Sequence, residues 1–181
     1  GAVLSLRANA VSSFTFVQSN DWLDSPAWPY LSVVQIVERT VDGETTTDVC
    51  RFVGQVRTIP RAATGGGPQS IRYVAYDYSY ALQRCDFSQL WAYTDSSDGT
   101  LQEQYEPTVV LGEDNDGNRR KNGQCISDVI GWGMTRGLAI DKGSIADGVY
   151  IPYDERDNIK CWDAIVALLR YTPDYQFVWI P

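Results

Sequence analysis

The side chains able to do chemistry in this chain are its acids, because no histidine occurs among 181 residues. Histidine titrates near neutrality and is the commonest general base and transition-metal ligand. Nucleophile systems of the Ser-His-Asp or Cys-His kind and His-rich zinc sites are therefore excluded. Carboxylate chemistry remains, since a glycosidase needs only two Asp or Glu groups about 5 to 9 Å apart across a cleft. Asp77, Asp86, Glu103, Glu106, Asp154, Glu155 and Asp157 are the candidates. Six Trp and eleven Tyr would suit stacking on sugar rings. Sequence alone places no two of these acids across a cleft, and among 23 acidic residues some pairs fall close by chance. No catalytic residue is assigned, and the chain is read as a protein without enzymatic activity.

Metal and phosphate motifs fail on spacing. Asp114-Asn115-Asp116-Gly117-Asn118 has the clustered oxygens and turn glycine that a hard cation wants. In EF-hand register Gly112 and Gly123 fall where carboxylates are required, so the segment is expected to be an Asx-rich turn. Gly65-Gly66-Gly67 lacks the following Lys-Ser/Thr of a phosphate loop, and Gly131-Trp132-Gly133 has no third glycine at dinucleotide spacing. No cofactor and no metal site is assigned. Cys50, Cys85, Cys125 and Cys161 stand too far apart in sequence for a zinc knuckle or redox dithiol. Their apolar neighbours predict buried free thiols. Two long-range disulfides are the alternative.

Net charge of −8 repels nucleic-acid phosphates and anionic lipid alike, so both are discounted as partners. The one basic cluster, Arg119, Arg120 and Lys121, follows an acidic run and reads as a solvated loop. No apolar run approaches the ~20 residues of a membrane-spanning helix, and the N-terminus lacks a signal-peptide layout. With 44% hydrophobic and 21% charged residues, the composition is that of a globular domain with a buried core. The chain opens on Gly1-Ala2, and Gly1 is expected to be a cleavage scar.

The elements that must position these residues change character along the chain. Alternation at 3–7 and 14–16, then β-branched and aromatic runs at 31–37, 49–56 and 71–80, predict strands. Asp42-Gly43 is a hairpin signal between two of them. After about residue 85 a polar stretch, 95–123, is expected to be a surface excursion around one short strand at 108–111. A helix is expected from about 123 to 136, capped by Asn122 and stopped by Gly137. Its Gly131 and Gly133 suggest close packing against another element. A second helix is expected to be capped by Asp157 or Asn158, with Trp162, Ile165, Val166 and Leu169 on its apolar face and Pro173 at its end. The predicted fold class is α+β: an antiparallel, split β-barrel domain over 1–90, then a smaller portion over 91–181 with polar loops and two helices. A last strand at 175–180 stops at the final residue, and the natural polypeptide is expected to continue.

Two aromatic groups are candidate interface residues. Trp22, Trp28 and Tyr30 form a proline-bracketed loop that either plugs the barrel end or presents a binding platform. Phe177 and Trp179 lie on the terminal strand, whose apolar face is expected to need a partner.

Three stretches resemble the phage tail baseplate hub family, the late-control D-like proteins related to the spike protein of type VI secretion. They are Phe52-Val53-Gly54-Gln55-Val56 with Ile71 to Leu82, the helical Ile126-Ser127-Asp128-Val129-Ile130, and Trp162 to Tyr175 followed by Phe177-Val178-Trp179-Ile180. The resemblance implies a split barrel that joins others in a ring between tail tube and spike. Its partners would be other hub subunits and neighbouring tail proteins, and its location the virion tail, assembled in the bacterial cytoplasm. Family members carry two barrels, so by this resemblance one would be missing here, and the isolated piece is expected to be less oligomeric than its parent, down to a monomer. A carbohydrate-binding or carboxylate glycosidase domain floored by Trp22, Trp28 or Trp91 is the alternative. A third reading is a secreted adhesin-like domain with Cys50–Cys85 and Cys125–Cys161 bridges.

Overall fold

The computed structural model describes residues 2–7, 10–19, 28–58, 61–62, 70–95, 97–114, 116–174 and 179. The fold is α+β, mostly antiparallel sheet with a few helices. It divides into two compact units: Gly1–Tyr80 with Phe177–Pro181, and Ala81–Gln176.

Unit 1 is built on a curled sheet of β1 (Ala2–Ser5), β2 (Ser13–Ser19), β3 (Val33–Asp42), β4 (Thr45–Thr58), β5 (Arg61–Ala62) and β6 (Ser70–Asp77). The order is β1-β2-β6-β4-β3 with β5 beside β6, and every pairing is antiparallel. Alternation sends Phe14 and Phe16 to the same face as Tyr73 and Ala75, their cross-strand partners. Val34, Phe52, Val56, Tyr73 and Ala75 form the buried cluster, with Leu4, Phe14, Phe16, Ile36 and Ile71 packed against it. Phe16 stacks on Tyr73 with ring centroids 5.0 Å apart, a contact worth about 1 kcal/mol beyond the area it buries. Gly54 sits where β4 approaches β6 closely. A methyl group there would run into the Tyr76 carbonyl oxygen and the Phe52 ring.

The β3–β4 hairpin is longer than alternation alone predicts. Gly43 takes φ +59, the left-handed conformation a tight hairpin turn requires, and pairing runs from Asp42–Thr45 back to Val33–Gln55 with an irregularity between Ile36 and Val37. β6 ends at Asp77 rather than Tyr80. The Asp77 carboxylate accepts the backbone N–H groups of Ser12 (2.8 Å) and Ser79 (3.1 Å), turning the chain into one helical turn, α1 (Ser79–Leu82).

Unit 2 contains the hairpin β7 (Gln89–Thr94) and β8 (Leu101–Glu106), the pair β9 (Thr108–Leu111) and β10 (Asp154–Asp157), and the helices α2 (Asn122–Thr135) and α3 (Cys161–Leu169). The expected surface excursion therefore holds a second strand, β8, whose almost wholly exposed residues gave no alternation to read. The core is helical: Val129 and Ile130 from α2 and Cys161, Ile165 and Leu168 from α3 are at most 1% exposed. The close packing expected at Gly133 is present, because a Cβ there would lie 3.1 Å from Leu82 Cδ2.

Both expected helix caps are displaced by tertiary demands. Lys121 occupies the N-cap of α2, its N–H donating to Gln124 Oε1 at 3.0 Å. Asn122 is instead the first helical residue and buried; its Nδ2 donates to Leu168 O (3.1 Å) and Thr172 Oγ1 (2.9 Å), and its Oδ1 accepts the Val149 N–H (2.9 Å). Asp157 pairs with Thr108 as part of β10, Asn158 turns at φ +53, and Lys160 becomes the N-cap of α3.

All four cysteines are free, with Cys125 and Cys161 buried but Cys50 and Cys85 only half-buried. The expectation of burial is corrected for the latter two: each lies at a sheet or bridge margin, donating its thiol to a carbonyl, Phe52 O at 3.4 Å and Asp86 O at 3.8 Å. Among the described residues no helix is long and apolar enough to cross a membrane.

Candidate functional site

Among the described residues, unit 2 holds a cleft of about 730 Å³, inside the size range of small-molecule sites. The β7–β8 hairpin contributes Leu90 and Tyr105, α2 contributes Asp128 and Trp132, and the flanking loops contribute Arg120 and Lys142. Tyr105 and Trp132 approach to 4.7 Å between ring centroids at a tilt of 46°. The Trp132 indole N–H donates to Asp86 O at 2.6 Å, and the Arg136 guanidinium lies 5.5 Å from the indole centroid. The indole is thus fixed at its polar edge and covered by a cation on one side.

The charges in the cleft are largely committed to one another. Arg120 Nη1 contacts Asp128 Oδ2 at 2.5 Å; burial opposes the Arg120 charge, but the Asp128 carboxylate outweighs it and the guanidinium pKa is raised. Asp114 Oδ1 accepts the backbone N–H groups of Asp116 (3.0 Å) and Asn118 (2.8 Å), closing the Asx turn expected for this segment. Those bonds from Asn118 hold the Asp114 carboxyl below its usual range. A glycosidase general acid needs the opposite, a carboxyl pushed upward by burial. Lys142 forms no ion pair among the described residues, and its stem lies over Gly131, where a Cβ would be 3.1 Å from Lys142 Cε. The cleft can therefore hold a polar ring by stacking and by one available ammonium.

The acids singled out in the sequence lie elsewhere. Asp86 pairs with Lys160 at 2.5 Å, Asp154 with Arg156 at 2.7 Å, Glu155 accepts the Tyr153 hydroxyl, and Asp157 accepts the Thr108 hydroxyl. Asp77 is buried in unit 1, and Glu103 and Glu106 lie on β8. Of the tryptophans expected to floor a sugar groove, Trp91 is tied to Thr108 O at 2.9 Å and does not line the cleft, Trp28 belongs to unit 1, and Trp22 lies outside the described residues. The cleft's aromatic pair, Tyr105 and Trp132, was not distinguished by sequence reasoning. Gly131-Trp132-Gly133, an aromatic between two small residues on a helix, was the available signal.

The candidate interface residues fall in unit 1. Trp28 meets Phe16 edge-on at 5.8 Å yet stays 40% exposed, and Tyr30 is 58% exposed with the Arg57 guanidinium 6.0 Å from its ring centroid. Leu31 beside them takes φ +70 while its N–H donates to Val56 O at 2.9 Å, a strained conformation in an exposed turn. Trp179 is half-buried, its indole N–H donating to Ser79 Oγ at 2.9 Å and its ring 5.5 Å from that of Tyr78. Phe177 lies outside the described residues.

Three exposed apolar residues of unit 1 lie along β3. Val33, Val37 and Val41, spaced to one face of the strand, are 56%, 44% and 64% exposed. β3 ends the sheet order and has one strand neighbour, β4, among the described residues. No known family model and no curated protein sequence matches this chain.

Proposed function

We propose that the chain is a structural assembly module, of the kind its resemblance to tail baseplate hub proteins implies, rather than an enzyme. In this reading the curled sheet of unit 1 is one split barrel of a ring that joins tail tube to spike in a virion tail assembled in the bacterial cytoplasm. The observation that carries the reading is β3: ten residues of edge backbone with Val33, Val37 and Val41 exposed on one face. An isolated soluble domain blunts such an edge with charges, prolines or a covering element. Here the ion pairs Arg39–Asp48 and Arg51–Glu38 decorate the hairpin, but no described strand covers it. A neighbouring subunit adding a strand would satisfy the free backbone groups and bury the valines. The exposed Trp28 and Tyr30 supply rigid aromatic contact area of the kind that anchors interfaces.

Sedimentation of the chain across a concentration series up to about 0.5 mM would populate even an interface of millimolar strength. Concentration-dependent association that is lost on Val37→Pro, which removes an edge N–H and a side chain together, is the expected result. A single monomeric species for both proteins at every concentration would overturn the reading.

A second reading, sugar binding without hydrolysis, is favoured by the Tyr105–Trp132 pair in the unit 2 cleft. Glycan-array binding that disappears with Trp132→Ala would support it. An array with no signal above background would remove it.

A further inference from the structure

The sequence spacing of Cys85 and Cys161 hides a close approach. The residues next to them, Asp86 and Lys160, form an antiparallel bridge. It is flanked by two backbone hydrogen bonds, Cys161 N–H to Cys85 O and Phe87 N–H to Ile159 O, both 2.9 Å. The register therefore places Cys85 opposite Cys161. Directly opposed residues of an antiparallel pair have Cα atoms about 4.5 to 5.5 Å apart. That lies within the window of about 4.4 to 6.8 Å that a disulfide spans without moving the backbone. The Lys160–Asp86 ion pair on the same bridge holds the two segments together from the neighbouring position.

We infer that Cys85 and Cys161 are a modification site, a dithiol that closes to a disulfide by exchange with a small-molecule disulfide. Cys85 is half-buried and Cys161 is fully buried, so the incoming disulfide RSSR meets Cys85 first. The Cys85 thiolate attacks one sulfur, breaking the RS–SR bond and releasing RS⁻, which takes the proton that Cys85 lost. Cys161, deprotonated in turn, attacks Cys85 Sγ; the mixed disulfide breaks, the Cys85–Cys161 bond forms, and a second RSH leaves. Two protein thiols are oxidised and one external disulfide is reduced to two thiols. Burial, with the adjacent Cys85 thiol, pushes the Cys161 thiol well above its ordinary range. The second step is therefore the slow one at neutral pH and quickens as pH rises. Closure ties the bridge before β7 to the first turn of α3, linking the two ends of unit 2.

The test is oxidation of the folded chain with oxidised glutathione, followed by alkylation of residual thiols, denaturation and peptide mapping by mass spectrometry. The expected product carries one Cys85–Cys161 cross-link with Cys50 and Cys125 alkylated. Its melting temperature should rise by roughly 5 °C or more and return on reduction, as closing a long loop requires. Cys85→Ser should fold, form no cross-link and melt at the same temperature with and without oxidant. The proposal is overturned if Cys85 stops at a glutathione adduct, if Cys161 pairs with Cys50 or Cys125, or if both thiols stay alkylatable at mildly alkaline pH.

Discussion

The two units bury their apolar residues in different ways. Unit 1 rests on one row of rings and branched side chains across a single sheet face, with Phe14, Phe16 and Ile36 only partly covered. Unit 2 closes two helices on each other, and residues such as Ile130, Ile165 and Leu168 are almost completely withdrawn from water. At about 25 cal/mol per Å² of apolar surface, partial coverage leaves unit 1 with less hydrophobic stabilisation per residue. The difference teaches that, among the described residues, the helical core of unit 2 is withdrawn from water more completely than the sheet face of unit 1.

The largest test of that contrast is Asn122→Leu. It removes the amide partner of Thr172 Oγ1 and Leu168 O in the helical core, of which Leu168 O keeps the Tyr171 N–H at 3.3 Å, and the acceptor of the N–H of exposed Val149. At about 1 to 3 kcal/mol for an unsatisfied buried group, a loss of about 3 kcal/mol is expected, read by chemical denaturation as collapse of helical ellipticity. A smaller loss would mean that water enters, and that unit 2 is looser than its burial implies.

Gly54→Val attacks the thinner core. Its side chain meets the Tyr76 carbonyl and the Phe52 ring, and overpacking of this kind costs about 1 to 3 kcal/mol. Hydrogen exchange should quicken in β4 and β6 while α2 and α3 keep their protection; equal loosening of both units would erase the distinction between them.

Asp77 gives the pH dependence of unit 1. Burial raises its pKa above the 3.8 of an unfolded chain, against the hydrogen bonds from Ser12 and Ser79. A raised folded value means that the protonated form is favoured by folding. The stability Asp77 contributes is therefore complete below pH 3.8 and declines as pH rises through the folded value. The melting temperature of wild type relative to Asp77→Asn should fall across that window, and a constant gap would show that the N–H donors cancel the desolvation. Smallest of all, Asp48→Asn breaks the surface ion pair with Arg39 and should leave thermal melting unchanged, as surface pairs usually do.

How much of this was legible depended on whether a local rule or a distant partner decided each residue. Asp42-Gly43 announced its hairpin because the turn's backbone needs a residue that tolerates positive φ, a purely local requirement. Phe14, Phe16 and Tyr73 announced a sheet face through period-two spacing. Asn122 has the chemistry of a cap, but α3 arrives beside it and claims its amide, which no local signal encodes. Asp154–Asp157 is four charged residues in a row, yet β9 recruits it as a strand. The cleft stayed hidden for the same reason: Tyr105 and Trp132 are 27 positions apart in sequence and meet only after the β7–β8 hairpin and α2 are in place.

β4 carries one further consequence. Its fourteen residues begin at the exposed tip, paired only with β3, and continue without interruption through the buried Phe52 and Val53 to Val56, which pairs with β6. Tip and core are the same unbroken beam. Load applied at the hairpin tip would be transmitted in tension along covalent backbone, past the irregular pairing between Ile36 and Val37 where the β3–β4 ladder is interrupted.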